Sequence, residues 1–361
     1  MLVRSWERQE PSLYGRMDLH WDGTGAPKLL EYNADTATSL FESSVVQWEW
    51  LTCAYPDADQ FNSVHEALIA AWPAMRLPPR VHFTSMRNST EDPGNVDYLR
   101  DTASQAGLDA PFLVVDEIGW DGRRFVDLDR QEMRAVFKLY PWEFLLRDNF
   151  GNHVAGAATR WIEPAWRLLL SGKGILALLW ELFPGHPNLL PAFREPGRTG
   201  RSEIAKPLFG REGANISAPG IKTDGPYGAE GYVYQQWLPL PRVNGHYPVI
   251  GGWIIAGQPH GIGMREWELI RAGNAAVALS LGGAMIGFAL PLAAAVIHSA
   301  SLADMVVSAA VALVVQLLCF AAMRLLRRDA TAALARGDMA EGVLLASVSL
   351  VLGILNAACL G

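Results

Sequence analysis

Two carboxylates and an asparagine amide stand close together in a segment near the N-terminus. The segment GRMDLHWDGTGAPKLLEYNADTATSLFES carries, in order, Arg16, Asp18, Glu31, Asn33 and Asp35. A hairpin that turns at Asp22-Gly23 would bring Asp18 near Glu31 and Asn33. Two carboxylates and an amide oxygen are hard ligands that suit Mg²⁺ when it also keeps waters and phosphate oxygens. The alternative is a polar hairpin face with solvated charges, which the spacing alone favours.

A second group of motifs has the features of a phosphate-binding site. In KPLFGREGANI (206–216), Lys206 ends a predicted strand and a glycine-bearing loop follows. Backbone N–H groups of such a loop can bind phosphates while the lysine neutralises charge. An ordinary surface hairpin remains the alternative. Further on, YVYQQWLPLP (232–241) predicts a strand that runs into a proline-stiffened linker, and GIGMRE (261–266) places Arg265 after a turn of small residues.

Other common chemistries lack their motifs. None of the eight histidines forms HxxxH or HExxH, there is no GxSxG, and SGKG (171–174) lacks the upstream glycine of a Walker A loop. Three cysteines without a CxxC pair exclude a disulfide framework and a zinc knuckle. A net charge of −7 gives no basic balance for nucleic acid, which we exclude as a main partner.

The elements that must position these residues form a mixed α and β pattern. Short apolar runs predict strands in PKLLEYNAD, RVHFTS, PFLVVDEI and VIGGWIIAGQ. Helical periodicity occurs in TSLFESSVVQWEWLT, NVDYLRDTASQAGL and PAWRLLLSGKGILALLWELF. The last of these is apolar enough for a membrane span, but Arg167, Lys173 and Glu181 interrupt it and Gly172 and Gly174 break it. We therefore predict a buried helix pair there.

Composition divides the chain into two unlike parts. All 13 tryptophans lie between Trp6 and Trp267, while residues from Asn274 onward hold only four basic and four acidic side chains. Three runs without a formal charge follow, of 32 residues (272–303), 19 residues (305–323) and 20 residues (342–361). At ~1.5 Å of rise per residue, each run can cross a hydrocarbon core of roughly 30 Å as a helix. We predict an all-α module of three transmembrane helices.

Orientation follows from the distribution of positive charge. Arg265 and Arg271 precede the first span, and the loop between the first two spans has no Lys or Arg. The loop between the second and third spans contains Arg324, Arg327, Arg328 and Arg336. Because positively charged loops stay in the cytoplasm, the front domain and this loop are predicted to be cytoplasmic, with the C-terminus on the far side.

The order of motifs over about residues 10–270 resembles the synthetase domain of the glutathionylspermidine synthase family, and most closely its stand-alone bacterial branch. The resemblance is carried by RMDLHWDG, LLEYNADTATSLFES, STEDPGNVDYL, FKLYPWE, EPAWRLLLSGKGILALLWELFP, AKPLFGREGANI, YQQWLPLP and GIGMRE. It implies an α+β fold of the ATP-grasp type over residues 1–271, shortened at its N-terminus relative to the family. It also implies ATP-dependent joining of a small or peptide-like carboxylate to an amine through an acyl phosphate.

The resemblance assigns roles to individual residues. The implied Mg²⁺ ligands are Asp18, Glu31 and Asn33, and the implied acyl-phosphate arginines, which we take as catalytic, are Arg16 and Arg265. The implied ATP-binding residues are Lys173, Lys206, Gly210, Arg211, Gly213, Gln235, Gln236, Trp237 and Leu238. The implied contacts with peptide or amine are Thr36, Glu91 and Asp92, together with Arg16. Two adjacent carboxylates at 91–92 could equally be a solvated helix start.

Residues 272–361 resemble a family of small multi-span proteins of the bacterial inner membrane. The features that carry this resemblance are NAAVALSLGGAMIGFALPLAAAVIHSASLADM, the arginine-rich loop and LLASVSLVLGILNAACLG. The whole chain is therefore predicted to be a ligase tethered to the inner membrane. A catalytically degenerate nucleotide-binding module that regulates a membrane protein or transporter component is the alternative function.

Overall fold

The computed structural model describes residues 1–266 except 88, 90, 91, 201, 244 and 245, and beyond them residues 307, 311, 314, 315 and 347–349. For residues 265 and 266 the description covers the backbone alone. The chain divides into two compact units, Met1–Trp267 and Glu268–Gly361. The predicted spans lie outside the described residues apart from isolated positions, and among the residues described no helix is long and apolar enough to cross a bilayer.

The first unit contains both helices and strands, as its sequence pattern predicts. The helices are α1 (Leu2–Glu7), α2 (Gln47–Ala54), α3 (Val64–Ala74), α4 (Asp92–Gln105), α5 (Trp142–Leu145), α6 (Gly151–Val154), α7 (Arg167–Ser171) and α8 (Gly174–Leu182), with a π-helical turn at Glu42–Val46 and a 3₁₀ turn at Val115–Glu117. The strands are β1 (Tyr14–His20), β2 (Lys28–Asn33), β3 (His82–Ser85), β4 (Phe112–Val114), β5 (Gly119–Trp120), β6 (Phe125–Val126), β7 (Ala135–Leu139), β8 (Arg160–Ile162), β9 (Ala192–Phe193), β10 (Glu203–Pro207), β11 (Ser217–Ala218), β12 (Ile221–Lys222), β13 (Tyr232–Gln236), β14 (Pro248–Ile255) and β15 (Gln258–Glu266).

Three larger sheets organise these strands. One sheet is antiparallel with the order β15-β14-β1-β2, and another is antiparallel with the order β12-β11-β10-β13-β9. The third sheet, β4-β3-β7-β8, is parallel. Strands β5 and β6 form a small ribbon of their own. The α+β class is therefore confirmed for the described part of the chain.

The hairpin of β1 and β2 brings Asp18 near Glu31 and Asn33, as predicted. Asp18 lies opposite Glu31, and Arg16 lies opposite Asn33. The connecting loop contains Asp22, whose Oδ1 accepts hydrogen bonds from the Thr24 N–H and hydroxyl at 2.9 and 2.8 Å. Gly23 follows Asp22 with a φ of +90°, a conformation that residues with a Cβ rarely adopt. The loop and the shift in register between Asp18 and Leu19 together determine which polar side chains meet across the hairpin.

The parallel sheet has an apolar core on each face. Phe83 and Phe137 pack into a cluster with Trp72 of α3, whereas Val136, on the other face of β7, packs into a cluster with Trp142. Every residue of β7 is buried, as expected for a central strand covered on both faces. A smaller cluster of Leu29, Leu176, Ala192 and Val233 joins the hairpin, α8 and the second antiparallel sheet. This third cluster packs β2 against β9, β13 and α8.

The predicted helix pair at 164–183 is present, but its predicted burial is wrong in part. Helix α8 has one buried residue, Leu176, while Leu178 and Leu182 on the same helix are 47% and 59% exposed. Only one stripe of this apolar helix faces the cluster around Leu29, because a helix that packs on one side leaves its opposite side uncovered.

Candidate active site

The three residues implied as metal ligands converge on the β1–β2 hairpin. The Nδ2 group of Asn33 donates hydrogen bonds to Asp18 Oδ2 at 3.2 Å and to Glu31 Oε1 at 3.5 Å. The Asp18 carboxylate also binds Arg16 in a bidentate ion pair, with Nε at 2.6 Å from Oδ1 and Nη2 at 3.0 Å from Oδ2. Both partners of this pair are almost fully buried. Arg16 is held further by a hydrogen bond to the Thr38 carbonyl at 2.5 Å.

Glu31 meets two lysines that come from distant parts of the chain. Its Oε2 lies 3.1 Å from Nζ of Lys173, the residue just before α8. Burial alone would raise the pKa of Glu31, but the positive charges of Lys173 and Lys206 outweigh burial and lower the pKa to about 2. The Glu31 side chain is therefore an anion at neutral pH, held between cations.

Lys206 lies near the end of β10, as predicted, and its side chain is buried, which the sequence did not predict. Its Nζ donates to the Leu30 carbonyl of β2 at 3.0 Å and to Gln235 Oε1 of β13 at 2.8 Å. Gln235 in turn donates to the Leu29 carbonyl at 3.0 Å, so two side chains tie the two antiparallel sheets together. Burial lowers the pKa of Lys206 to about 8, although the negative charge of Glu31 opposes the shift.

The glycine-bearing loop follows β10 directly and contacts both Lys173 and Thr36. The Gly210 carbonyl accepts a hydrogen bond from Nζ of Lys173 at 2.7 Å. Gly213 has a φ of +68°, so the loop bends where a residue with a Cβ would be strained. Between them, Arg211 donates to Thr36 Oγ1 at 2.6 Å and to Glu143 Oε1 at 2.9 Å.

The structure describes Thr36 and Asp92 but not Glu91 among the residues implied to contact the peptide or amine. Asp92 is buried at the start of α4, where its backbone N–H donates to the Ser89 hydroxyl at 3.1 Å. Burial raises the pKa of Asp92. Within the described residues its Oδ2 has no hydrogen-bond partner, and Arg211 is near enough to influence its charge. Glu91 lies outside the described residues. Helix-start and substrate roles for Asp92 are both compatible with this position.

The strand that was expected to hold adenine runs into a linker as predicted. Gln236 ends β13, and its N–H donates to the Pro191 carbonyl at 2.7 Å, while the Trp237 N–H donates to the Ser202 carbonyl at 2.8 Å. Leu238 follows in the linker. Arg265 lies in β15 opposite Val249, and the structure describes its backbone only. The adenine and Arg265 assignments remain predictions.

Sequence reasoning missed a buried ionic group behind the hairpin. The Lys138 Nζ lies 2.6 Å from Asp35 Oδ1 with both side chains almost completely buried, and Asp35 Oδ2 accepts the Trp142 N–H at 2.8 Å. Arg167 donates to the carbonyls of Ala34 and Tyr14 at 2.7 Å each. The available signal was a single lysine inside the otherwise apolar strand AVFKL. These contacts hold the turn between Asn33 and Thr36 in place.

The donor set at the hairpin fits a magnesium ion. Within the described part of the chain, no group of three or more His, Cys, Asp or Glu side chains is arranged to hold a metal. Asp18 and Glu31 supply two carboxylates, and rotation of the Asn33 amide group would turn its oxygen toward them. Two carboxylates with one amide leave positions for water and phosphate oxygens, which is how Mg²⁺ is commonly bound. Arg16 and Lys173 neutralise the two carboxylates in the present arrangement.

Residues 1–277 match the family model described as glutathionylspermidine synthase preATP-grasp. A Haemophilus influenzae protein named as an acid–amine ligase is 43% identical over 296 residues, which cover 76% of this chain and 75% of that protein. The bifunctional glutathionylspermidine synthetase/amidase of Escherichia coli is 28% identical over 303 residues, or 73% of this chain. That match covers 48% of the Escherichia coli enzyme, so the chain spans about half of its length. The chain belongs to the glutathionylspermidine synthase preATP-grasp family, and the prediction of a carbon–nitrogen ligase is confirmed.

The C-terminal part matches a different family. Residues 261–360 match a domain of unknown function, DUF350. The inner membrane protein YjfL of Escherichia coli is 36% identical over 95 residues, which cover 26% of this chain and 72% of that protein. The predicted resemblance to small inner-membrane proteins is therefore confirmed, and residues 261–360 belong to the DUF350 family.

Proposed function

We propose that this protein joins a small or peptide-like carboxylate to an amine at the expense of ATP, through an acyl phosphate, and that residues 272–361 attach it to the bacterial inner membrane. One observation carries the proposal. Glu31, Lys173 and Lys206, which are far apart in the sequence, lie together where the hairpin meets the second antiparallel sheet. Such a concentration of cations beside a hard-oxygen donor set is what phosphoryl transfer requires.

Each part of the site has a role in this proposal. Lys173 and Lys206 would neutralise the phosphates of ATP, and the loop with Gly210, Arg211 and Gly213 would cover them. Gln235, Gln236, Trp237 and Leu238 would hold the adenine. Mg²⁺ on Asp18, Glu31 and Asn33 would supply charge neutralisation to the phosphate oxygens. Since Lys173 and Arg16 already pair with these carboxylates, they can turn from the carboxylates to the incoming anions.

The substrate side of the site follows from the same contacts. Arg16, together with Arg265, would hold the reacting acyl phosphate. Thr36, Glu91 and Asp92 would contact the carboxylate or amine substrate. The hydrogen bond between Arg211 and Thr36 supports this arrangement, because it links the proposed phosphate-covering loop to the segment that would contact substrate.

Nucleotide binding is tested with Lys206→Met in the full-length protein. The variant keeps the length and most of the apolar bulk of the lysine but removes one charge-assisted contact, so MgATP affinity should fall by about 10- to 100-fold. Lys222→Met is the matched control, because Lys222 is an exposed lysine on the same sheet. Unchanged MgATP affinity in folded Lys206→Met would contradict the ATP assignment.

Catalysis is tested by ADP release from the full-length protein across a panel of amines and small peptides. An active pair of substrates should release ADP only when carboxylate and amine are both present. Glu31→Gln should abolish that release while the fold is retained. Tight MgATP binding without ADP release under any substrate pair would favour a nucleotide-binding module without ligase activity.

A further inference from the structure

Glu143 carries a buried carboxylate on a firmly anchored segment. It belongs to α5, and its side chain is 7% exposed. The preceding residue fixes the segment, because the Trp142 N–H donates to Asp35 Oδ2 at 2.8 Å and its indole N–H donates to the Glu163 carbonyl at 3.0 Å. Trp142 itself is almost completely buried. A buried carboxylate needs a partner that offsets its loss of water, so the partner of Glu143 indicates its role.

The partner of Glu143 is Arg211 of the glycine-bearing loop. The Nη2 group of Arg211 donates to Glu143 Oε1 at 2.9 Å, and its Nη1 group donates to Thr36 Oγ1 at 2.6 Å. The guanidinium carbon lies 5.9 Å from the centre of the Phe144 ring, within the range of a cation–π contact. These contacts all come from outside the loop. They hold the Arg211 side chain against α5 and the segment that follows β2.

A second contact holds the residue next to Arg211. The Nζ group of Lys173 donates to the Gly210 carbonyl at 2.7 Å and lies 3.1 Å from Glu31 Oε2. Gly210 and Arg211 are consecutive in the loop. The loop is therefore held through Lys173 to the β1–β2 hairpin and through Arg211 to α5.

We propose that Glu143 is a positioning residue, which holds Arg211 and thereby keeps the glycine-bearing loop over the phosphates of ATP. The inference rests on the proposed function, in which this loop covers the phosphates. Glu143 supplies orientation rather than charge to the phosphates, since its carboxylate is paired with Arg211 and would repel a phosphate directly. A loop that is held in its covering position before ATP arrives loses less conformational freedom on binding, which raises affinity.

The affinities for MgATP and AMP are compared in full-length wild-type protein, Glu143→Ala and Arg147→Ala, by competition with a fluorescent ATP analogue. Glu143→Ala should lower the affinity for MgATP by about tenfold and that for AMP by less than about twofold, because AMP lacks the β- and γ-phosphates. Arg147→Ala is the matched control. It breaks the more exposed ion pair of Arg147 with Glu230, beside the same helix, and should change neither affinity. Equal losses for MgATP and AMP in Glu143→Ala would overturn the proposal.

A conservative variant separates positioning from a loss of folding. Glu143→Gln keeps the shape of the side chain and one acceptor for Arg211, so its loss of MgATP affinity should be smaller than that of Glu143→Ala. An equal or larger loss in folded Glu143→Gln would overturn the proposal. Unchanged or higher MgATP affinity in Glu143→Ala would also overturn it, because the carboxylate would then only compete with the phosphates for Arg211.

A double-variant cycle tests whether Glu143 acts through Arg211. In the Arg211→Ala background, the further change Glu143→Ala should lower MgATP affinity by less than about twofold, because its partner is already absent. The same tenfold loss in both backgrounds would overturn the proposal, since Glu143 would then act on the ligand without Arg211.

Cleavage by trypsin after Arg211 tests the contact without nucleotide. The protease must bind the arginine side chain in its own pocket, so cleavage requires Arg211 to leave Glu143. Fragments that begin at Glu212, detected by mass spectrometry, should form at least about fivefold faster from Glu143→Ala than from wild-type protein or Arg147→Ala. Equal rates would overturn the proposal and leave the ATP assignment intact. Wild-type protein that does not bind MgATP would instead overturn the proposed function, and the role of Glu143 in phosphate binding with it.

Discussion

Lys206 combines two properties that oppose each other. Its ammonium group is buried against β2 and β13, and burial lowers its pKa to about 8. Its proposed role nevertheless requires a positive charge next to phosphate. Near neutral pH the protonated form still predominates, because the pKa stays above 7. The free protein therefore bears the free-energy cost of burying this positive charge. Binding of an anion next to Lys206 can offset that cost.

The affinity for MgATP should consequently fall as the pH rises above about 8. Below that pH Lys206 is already protonated, while above it binding must take up a proton, which weakens affinity by at most about tenfold per pH unit. Calorimetric titration from pH 7 to pH 10 measures this slope. Lys206→Arg should remove most of the slope, because arginine stays charged throughout. An equal slope in both proteins would assign the titration to another group.

Lys206 affects stability in the opposite direction: its contribution to the free energy of unfolding rises with pH, whereas the affinity for MgATP falls. The pKa of lysine in the unfolded chain is near its ordinary value of 10.5, above the value of about 8 in the folded protein. Between these pH values the unfolded chain binds more protons than the folded one. The contribution of Lys206 to the free energy of unfolding therefore rises with pH across this window, and its cost is largest below about pH 8.

The buried ion pair of Asp35 and Lys138 leads to a testable prediction about stability. Asp35→Asn leaves the Lys138 charge buried without its partner and should lower the free energy of unfolding by about 3–5 kcal/mol. The double variant Asp35→Asn with Lys138→Met removes both charges and should recover most of that loss. Urea unfolding followed by tryptophan fluorescence measures this in the full-length protein, because all tryptophans precede residue 268. Additive losses in the double variant would argue against direct coupling.

At the scale of elements, β14 must leave room for Arg16. Gly251 lies opposite Asp18, and a Cβ there would stand 2.9 Å from Cδ of Arg16. At the next residue, Gly252, a Cβ would meet nothing closer than Leu19 Cδ1 at 3.8 Å. The two adjacent glycines thus differ in how closely another side chain approaches them. The first allows the Arg16 side chain to lie against the strand and reach Asp18.

Gly251→Ala should therefore displace Arg16 from Asp18, a proposed Mg²⁺ ligand, and so weaken MgATP binding. It should also lower the free energy of unfolding by about 1–3 kcal/mol. Gly252→Ala is the matched control and should change stability by less than about 1 kcal/mol. Both variants are compared by urea unfolding and by MgATP titration. Equal effects of the two substitutions would show that strand flexibility, rather than contact with Arg16, determines the outcome.

Local patterns predicted some elements of the site and could not predict others. The turn at Asp22-Gly23 predicted that Asp18 would lie near Glu31, since the two strands of a hairpin are close in sequence, but it did not predict the shift in register between Asp18 and Leu19. The insertion of β1 between β2 and β14 had no local signal, because β14 lies more than 220 residues further along the chain. The burial of Lys206 was missed for the same reason. Its partners Leu30 and Gln235 come from other strands.

At the scale of the whole molecule, the chain contains two parts that belong to different families and differ in composition. The first unit concentrates its charges and tryptophans around sheets and a polar site, and it carries the entire net charge of −7. The residues that match DUF350 are mostly apolar and contain few charges. A ligase that uses ATP needs cytoplasmic nucleotide, so the orientation of the apolar runs in the membrane determines whether the site can be supplied.

Topology is therefore the prediction on which the membrane-attached ligase depends. The loop with Arg324, Arg327, Arg328 and Arg336 should remain cytoplasmic, because its positive charge resists translocation. With three spans, a reporter fused after Gly361 should be periplasmic, and a reporter inserted near Arg328 should be cytoplasmic. Alkaline phosphatase and a fluorescent protein active only in the cytoplasm measure the two locations in living cells. The reverse pattern would place Lys206 and Glu31 away from cytoplasmic ATP and would contradict the ligase proposal, whatever the site's geometry.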